Sequence, residues 1–235
     1  MPEQTQVSVF IRFSPCMKPF ADCRLYTFVD TAYLAGRNPA EVARQLCDGG
    51  ADIVQVRAKG ASLPEVQRLT EAVLAITQAA DVWCVLNDHA ALCCQLGIPC
   101  VHLGQEDFFE TGLEPSADAL WRSLCSGRSS PPALGLSSHS PDQALRAVAA
   151  GADYIAVGPV FPTDTKPGRV AVTLDYVRWA AATLQVPWFA IGGIHLGNLQ
   201  SVLAAGAQRV CVVSAILKAP DILAAAREFR RRLDR

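Results

Sequence analysis

Two aspartates, Asp88 and Asp107, each follow a short apolar run, in Val-Leu-Asn-Asp (85–88) and in Val-His-Leu-Gly-Gln-Glu-Asp (101–107). If both runs are parallel strands, their carboxyl ends meet at one edge of the sheet and the two carboxylates face the same space. Hard divalent cations prefer such oxygen ligands. The pair therefore predicts a metal site that acts on a phosphate compound.

Asp88 also has a second interpretation, as the N-cap of the helix that follows it. A cap does not account for the matching Asp107, so both interpretations stay open. His102, inside the second apolar run, is interpreted as a hydrogen-bonded core histidine rather than a metal ligand.

A cationic segment, Gln-Val-Arg-Ala-Lys (55–59), stands at the end of an earlier apolar run. In an extended chain alternate side chains point the same way, so Gln55, Arg57 and Lys59 can face one space. The fork of donors on arginine and the mobile charge of lysine suit a diphosphate. A solvated strand end is the alternative for any one of these residues alone.

Polar loops follow the later runs. The segment 158–168 combines glycines and prolines with Thr163, Thr165 and Lys166, which indicates a shaped ligand loop; a Schiff-base role for Lys166 stays open. Glycines at 192 and 193 and a serine at 214 indicate a phosphate pocket after the last two strands.

The fifth apolar run ends in Ser137-Ser138-His139. Ser137, nearest the strand, is predicted to contact a ligand, whereas Ser138 or Ser140 is expected to cap the next helix. His139 could serve as an acid or base, but the spacing does not require it.

Alternation of apolar runs with amphipathic stretches predicts repeated β-α units, and the near-continuous hydrophobicity of the runs suits strands that helices cover. Eight runs are counted, at about 24–29, 52–56, 82–86, 98–103, 133–137, 153–157, 187–191 and 209–213. The sequence therefore predicts an α/β fold, a single (β/α)8 TIM barrel.

The 235-residue length fits one such barrel over 23–235, after a short N-terminal extension, 1–22, that is expected to be flexible or loosely docked. A net charge of −1 argues against broad nucleic-acid binding. No apolar stretch reaches the roughly 18 residues that span a bilayer, and the N-terminal segment lacks the apolar region of a signal peptide.

Nine cysteines, several of them inside apolar runs, form no CxxC pair. The sequence favours buried free thiols in a reducing compartment over disulfides or a zinc site, and the adjacent Cys93 and Cys94 are interpreted as helix packing. A cytoplasmic location is expected.

The motifs at the strand ends, taken together and in order from about Leu25 to Leu217, resemble the thiamine-phosphate synthase family. They are Gln-Val-Arg-Ala-Lys, Leu-Asn-Asp, His-Leu-Gly-Gln-Glu-Asp, Gly-Leu-Ser, Gly-Pro-Val-Phe-Pro-Thr-Asp-Thr-Lys, Ala-Ile-Gly-Gly-Ile and Val-Val-Ser-Ala-Ile.

The resemblance implies a magnesium-dependent barrel that joins a hydroxymethylpyrimidine diphosphate to a hydroxyethylthiazole phosphate. By resemblance, the pyrimidine diphosphate would contact Gln55, Val56, Arg57, Ala58, Lys59, Asn87, Ser137 and Lys166. The thiazole phosphate would contact Thr163, Asp164, Thr165, Gly193, Val213 and Ser214. Mg²⁺ would bind Asp88 and Asp107. Arg57, Lys59 and Lys166 would be the catalytic side chains, in a dissociative substitution that releases diphosphate.

Two rivals remain at this point. One is a related barrel that tautomerises thiazole phosphate or only binds it, although such a protein would not need both aspartates beside Arg57 and Lys59. The other is a Schiff-base aldolase or phosphosugar enzyme that uses Lys166 or Lys59. Small molecules are the expected partners in each case, and a homo-oligomer is an open expectation.

Overall fold

Eight parallel strands close into a barrel in which each strand pairs with the next in the chain and the last pairs with the first. The computed structural model describes residues 17–110, 116–125, 130–163 and 171–234. The strands are β1 (Leu25–Asp30), β2 (Ile53–Arg57), β3 (Trp83–Asn87), β4 (Cys100–Leu103), β5 (Ala133–Ser138), β6 (Tyr154–Val157), β7 (Trp188–Ile191) and β8 (Val210–Cys211). The predicted (β/α)8 barrel is confirmed.

Helices connect the strands around the outside of the barrel. They are α1 (Thr31–Leu34), α2 (Pro39–Asp48), α3 (Leu63–Ala79), α4 (Ala90–Leu96), α5 (Gln105–Phe109), α6 (Ala117–Leu124), α7 (Pro141–Ala149), α8 (Thr173–Thr183), α9 (Leu199–Ala204), α10 (Ser214–Leu217) and α11 (Ile222–Leu233). None of these described helices combines the length and apolarity needed to cross a bilayer.

Local capping starts the helices where the sequence signals them. The Asn38 side chain accepts a hydrogen bond from the Ala40 amide at 2.9 Å, ahead of a proline in the first turn of α2. Ser140 caps α7 by accepting from the Gln143 amide. Of the two serines expected to cap that helix, Ser140 is therefore the one that does so.

Aromatic rings fill the barrel interior. Tyr26 and Tyr154 each meet Phe189 edge-on, with ring centroids 5.4 and 5.5 Å apart. At the amino-terminal end of the barrel, Phe20 stacks on Trp83 at 4.4 Å and lies 4.9 Å from Tyr154. Centroid distances of this size mean direct ring contact, so these rings pack a solid core rather than lining a pore.

Residues 17–22 of the predicted extension pack against this closed end. The Trp83 indole donates to the Lys18 carbonyl at 2.7 Å, and the Lys18 ammonium pairs with Asp52. Phe20 is buried. These six residues are docked by specific contacts, whereas residues 1–16 lie outside the described part of the chain, and the boundary at residue 22 stays a prediction.

The tripeptide Gly-Ala-Asp occurs before β2 (50–52) and before β6 (151–153), and its aspartate has the same structural role at both places. Asp52, just before β2, accepts from the Arg24 and Leu25 amides at 2.6 and 3.0 Å, and Asp153, just before β6, accepts from the Leu134 amide at 2.7 Å. Each carboxylate thus ties the start of its own strand to the start of the preceding one.

The two carboxylates differ in their neighbours. Burial acts to raise the pKa of Asp52, but Lys18, the two amides and Arg230 outweigh it, and the pKa lies below its usual 3.8. Burial raises the pKa of Asp153, which the Leu134 amide only partly offsets.

The expectation that all the cysteines are free thiols is wrong for one pair, because Cys94 and Cys125 form a disulfide with their Cα atoms 5.5 Å apart. Cys93 points into the core from α4, so the adjacent Cys94 faces α6, whose C-cap is Cys125. Helix packing thus accounts for Cys93 alone.

We predict opposite acid responses for the two strand-start carboxylates. Asp52, with its lowered pKa, stabilises the fold above about pH 4, and this stabilisation is lost as the pH falls through its folded-state pKa. Asp153, with its raised pKa, favours the folded state as it becomes protonated. Urea unfolding at pH 7, 5 and 3 should show a smaller acid-induced loss of stability in Asp52→Asn than in the wild type, and a larger one in Asp153→Asn. The same response in both variants would contradict this assignment.

Candidate active site at the carboxyl ends of the strands

A cleft of about 770 Å³, including its open mouth, lies at the end of the barrel where the strands terminate. Strands and loops from around the whole barrel contribute to its walls. Its lining includes eight of the residues predicted from the sequence: Gln55, Arg57, Asn87, Ser137, Thr163, Gly193, Val213 and Ser214. The fold therefore brings together side chains that are up to 159 positions apart in the chain, as the count from 55 to 214 gives.

Arg57 stands at the end of β2 and pairs with Asp30, which ends β1 directly beside it. The guanidinium Nη1 donates to the carboxylate Oδ2 at 2.7 Å, and the two side chains are 11% and 1% exposed. Asp30 also accepts from the Ala32 amide at 3.0 Å and so caps α1. The pairing fixes the direction of the arginine fork before any ligand arrives.

Lys59 and Asp88 form a second ion pair on the rim. The lysine side chain is 55% exposed, so the pair is solvated and weak. The capping interpretation of Asp88 is wrong, because His89 holds the N-cap position of α4 and Asp88 adopts a left-handed φ of 68°. Its amide donates to the His102 carbonyl at 3.0 Å, which holds Asp88 beside the end of β4.

Asp107 lies in the first turn of α5, and its carboxylate turns back over Gly104, where a side-chain carbon would stand 2.6 Å from Oδ2. The two predicted metal ligands thus follow neighbouring strands, Asp88 directly after β3 and Asp107 in the helix after β4. A pair of carboxylates fits Mg²⁺, which is usually held by one or two carboxylates together with phosphate oxygens. Among the described residues no cluster of three or more ligating side chains stands ready for a metal.

The loops after β6 and β7 are joined to each other. The Val160 amide donates to the Ile191 carbonyl at 2.8 Å, and the Phe161 amide donates to the Gly192 carbonyl at 3.1 Å. Gly192 and Gly193 have φ values of 102° and 64°, and a side-chain carbon at either would lie within 2.7 Å of the facing loop. Only glycine permits this approach, which brings Thr163 and Gly193 to the same wall.

The floor of the cleft is a buried hydrogen-bond chain. It runs from Gln55 Nε2 to Tyr26 Oη (2.6 Å), to Tyr154 Oη (2.9 Å), to His102 Nδ1 (3.1 Å), and from His102 Nε2 to Ser137 Oγ (3.0 Å). His102 is therefore the hydrogen-bonded core histidine that the sequence predicts. Neither tyrosine is predicted from the sequence as part of the site, because both lie in apolar strands.

His139 also lines the cleft, and its Nδ1 bonds to the Gly158 carbonyl. Since a carbonyl only accepts, His139 carries hydrogen on Nδ1. The bond holds the ring at the start of the loop after β6.

The remaining predicted residues lie elsewhere. Val56 is buried on the opposite face of β2 from Gln55 and Arg57, and its side chain and that of Ala58 are not part of the lining. Lys59, Asp88 and Asp107 stand outside that lining as well. Asp164, Thr165 and Lys166 lie outside the described residues.

The described site has little excess positive charge. Arg57 and Lys59 are matched by Asp30 and Asp88, and Asp107 adds a further carboxylate. A diphosphate therefore needs cations beyond these two side chains. Lys166 and a divalent metal ion are the sources that the sequence predicts.

Comparisons with known proteins agree with one another. A family model described as thiamine monophosphate synthase matches residues 25–216. Thiamine-phosphate synthase of Thermus thermophilus is 48% identical over 186 residues, 79% of this chain and 84% of that protein. The protein of the same name from Acidothermus cellulolyticus is 43% identical over 218 residues, 91% and 96% of the two chains. The solved structure of thiamine phosphate pyrophosphorylase from Pyrococcus furiosus has a TM-score of 0.78 at 26% identity, covering 92% of this chain and 97% of that one.

We predict that Asp30→Asn destabilises the protein by about 3 kcal/mol, because it leaves the mostly buried Arg57 charge without its partner while the amide oxygen can still cap α1. The measurement is the free energy of unfolding in urea. Asp175→Asn is the matched control, since Asp175 also pairs with an arginine but is 87% exposed, and it should cause no measurable change. Equal stabilities of Asp30→Asn and wild type would show that the pair does not hold Arg57.

Proposed function

The chain belongs to the thiamine monophosphate synthase family, a family of transferases, and we propose that it makes thiamine monophosphate. The substrates are 4-amino-2-methyl-5-(diphosphooxymethyl)pyrimidine and 4-methyl-5-(2-phosphooxyethyl)thiazole, and diphosphate is the second product. The observation that carries this proposal is the convergence of two polar groups on one cleft. Gln55, Arg57, Asn87 and Ser137 come from β2, β3 and β5, while Gly193 lies in the loop after β7 and Ser214 begins α10 after β8.

The pyrimidine diphosphate is assigned to the first of these groups. Arg57 enters the cleft from the end of β2 with its fork already oriented by Asp30, which suits an anion with several oxygens. Lys59, mobile on the rim, can leave Asp88 and follow the departing diphosphate. Val56 and Ala58 stay in this assignment only through their backbone groups.

The thiazole phosphate is assigned to the second group. Loops after the seventh and eighth strands hold phosphate in many barrels of this kind. Gly193 lets a phosphate approach the backbone, and Val213 and Ser214 stand at the start of α10, where the first amides of a helix point out of its end. Thr163 adds a hydroxyl from the joined loop. Asp164 and Thr165 belong to this thiazole-phosphate group as predictions from the sequence alone, and Lys166 belongs in the same way to the pyrimidine-diphosphate group.

Asp88 and Asp107 would hold Mg²⁺. When bound, the ion supplies positive charge that neutralises diphosphate oxygens. Two carboxylates without a third protein ligand among the described residues leave coordination positions for those oxygens. Asp88 would then exchange its contact with Lys59 for the metal.

The reaction proposed is a dissociative substitution. The bond from the pyrimidine methylene to the diphosphate oxygen breaks, and its electron pair leaves with diphosphate. The electron-rich aminopyrimidine stabilises the resulting methylene cation, and the thiazole nitrogen donates its lone pair to form the new carbon–nitrogen bond. Arg57, Lys59 and Lys166 act by stabilising the leaving group, so the step needs no protein nucleophile.

Three further points belong to this proposal and await measurement: a cytoplasmic location, assembly into a homo-oligomer, and small molecules rather than nucleic acids as partners. The disulfide between Cys94 and Cys125 bears on the first, because disulfides are rare in reducing compartments.

We predict that the purified protein releases diphosphate only when both substrates and Mg²⁺ are present. Asp107→Ala should lower kcat at saturating Mg²⁺ by at least about 100-fold, because the ion loses one of its two protein ligands. Asp118→Ala is the matched control, since Asp118 also lies in the first turn of a helix but stands away from the cleft. A coupled assay of diphosphate release is the measurement.

Other outcomes identify the rivals. Wild-type activity in Asp107→Ala would remove the metal assignment. Conversion of the thiazole phosphate alone, without diphosphate release, would indicate a tautomerase, and trapping of a covalent adduct by borohydride would indicate Schiff-base chemistry.

A further inference from the structure

The hydrogen-bond chain at the cleft floor joins two residues that both face the ligand. Gln55 on β2 and Ser137 on β5 both line the cleft, and Tyr26, Tyr154 and His102 connect them. Every link is a normal hydrogen-bond distance. The direction of each bond follows from the number of donor hydrogens that each group carries.

Each tyrosine has one hydrogen to donate. Burial raises the pKa of both Tyr26 and Tyr154 well above 10, so both remain phenols. Tyr26 accepts from the Gln55 amide nitrogen, and Tyr154 is its other side-chain partner. A fully buried hydroxyl that left its hydrogen unused would lose free energy, so Tyr26 donates to Tyr154.

The bonds of Tyr154 and His102 have their directions fixed in the same way. Tyr154 accepts from Tyr26, so its own hydrogen goes to His102 Nδ1. The Cys100 thiol also contacts this hydroxyl, but a thiol is a much weaker acceptor than an imidazole nitrogen. His102 then carries its hydrogen on Nε2 and donates it to Ser137 Oγ. The Ser137 hydroxyl hydrogen is left for a ligand in the cleft.

The barrel makes a specific space for this chain. Gly135 is the register partner of both His102 on β4 and Tyr154 on β6. A side-chain carbon at Gly135 would lie 2.1 Å from Cζ and 2.3 Å from Oη of Tyr154. The missing side chain is thus what allows the Tyr154 hydroxyl to cross β5 and reach His102.

The donor or acceptor character of Gln55 is coupled to that of Ser137 at the other end of the hydrogen-bond chain. With its nitrogen committed to Tyr26, Gln55 offers its amide oxygen as an acceptor, while Ser137 offers a donor. Rotating the Gln55 amide by 180° would reverse every bond and turn Ser137 into an acceptor only. Neither end can change its character without the other.

We infer that Tyr26 and Tyr154 are positioning residues that fix this polarity and thereby select a 4-aminopyrimidine over its 4-oxo counterpart. The inference rests on the proposed function. An aminopyrimidine presents amino hydrogens, which the Gln55 amide oxygen can accept, beside a ring nitrogen that can accept from the Ser137 hydroxyl. The 4-oxo form presents a carbonyl beside a ring N–H, which is the reverse pattern. Its binding would require every hydrogen bond from Gln55 to Ser137 to reverse direction.

The first test needs no variant. In protein with ¹⁵N-labelled histidine, NMR of the ring nitrogens should show His102 with hydrogen on Nε2 and none on Nδ1, its signal among the four histidines being assigned by its loss in His102→Asn. Hydrogen on Nδ1, alone or together with Nε2, overturns the inference. This result does not depend on turnover, so it stands even if the proposed reaction fails.

The second test compares kcat/KM for diphosphate release from the 4-amino and 4-oxo pyrimidine diphosphates. Tyr154→Phe should lower the amino-to-oxo ratio by about tenfold, because the Gln55 amide and the His102 tautomer are then free to reverse. Both kcat/KM values are measured on the same preparation, so a lower fraction of folded enzyme affects both equally and does not change their ratio. Absence of release from the amino substrate in the wild type would refute the proposed function instead.

Tyr176→Phe is the matched control. Tyr176 is also a buried tyrosine with two hydrogen bonds, to Ser138 and to the Ser140 carbonyl, but it is not part of the hydrogen-bond chain at the cleft floor. Its substitution should leave the ratio unchanged. If Tyr154→Phe does not fold, Tyr26→Phe breaks the adjacent link and should have the same effect. An unchanged ratio in a folded Tyr154→Phe or Tyr26→Phe overturns the inference.

Discussion

Closure of the eight parallel strands is the constraint on which the rest of this structure depends. It sends every strand's carboxyl end to one face, so that Arg57, Asn87 and Ser137 meet there although they belong to β2, β3 and β5. It also encloses an interior that must be filled. Here aromatic rings fill it, and two of them carry hydroxyl groups. The packed core and the polar floor of the cleft are therefore the same layer of side chains.

Each of the two cations at the cleft is paired with a carboxylate, so the described site is not strongly positive. Arg57 is held by Asp30 and Lys59 by Asp88, so each of these cations has a carboxylate partner. The two pairs differ in burial. The Arg57 pair is almost fully enclosed and sets a direction, whereas the Lys59 pair is on the rim and can be exchanged at little cost. The Arg57 guanidinium is thus enclosed with its partner, whereas the Lys59 ammonium is partly open to solvent.

Much of the fold and part of the site could be predicted from the sequence. All eight strands lie within two residues of their predicted positions, because runs covered by helices are apolar throughout. Residues that line the cleft at or just after the strand ends could also be predicted, because the carboxyl ends of the strands point to one face. Asp30 was missed because it ends an apolar strand and its pairing with Arg57 is visible only once β1 and β2 are in register. The Cys94–Cys125 disulfide depends in the same way on how two outer helices meet.

The tyrosines of the cleft floor show a deeper limit of sequence patterns. In an apolar strand Tyr26 and Tyr154 indicate core packing, and they do pack against Phe189. Their hydroxyls would nevertheless be costly there unless every one found a partner. No described buried side-chain oxygen or nitrogen lacks one, and besides each other the two tyrosines have partners on β2 and β4. Because the hydroxyls are satisfied only along a continuous path to the cleft, the requirement to avoid unpaired polar groups in the core also determines which hydrogen-bonding groups the ligand meets.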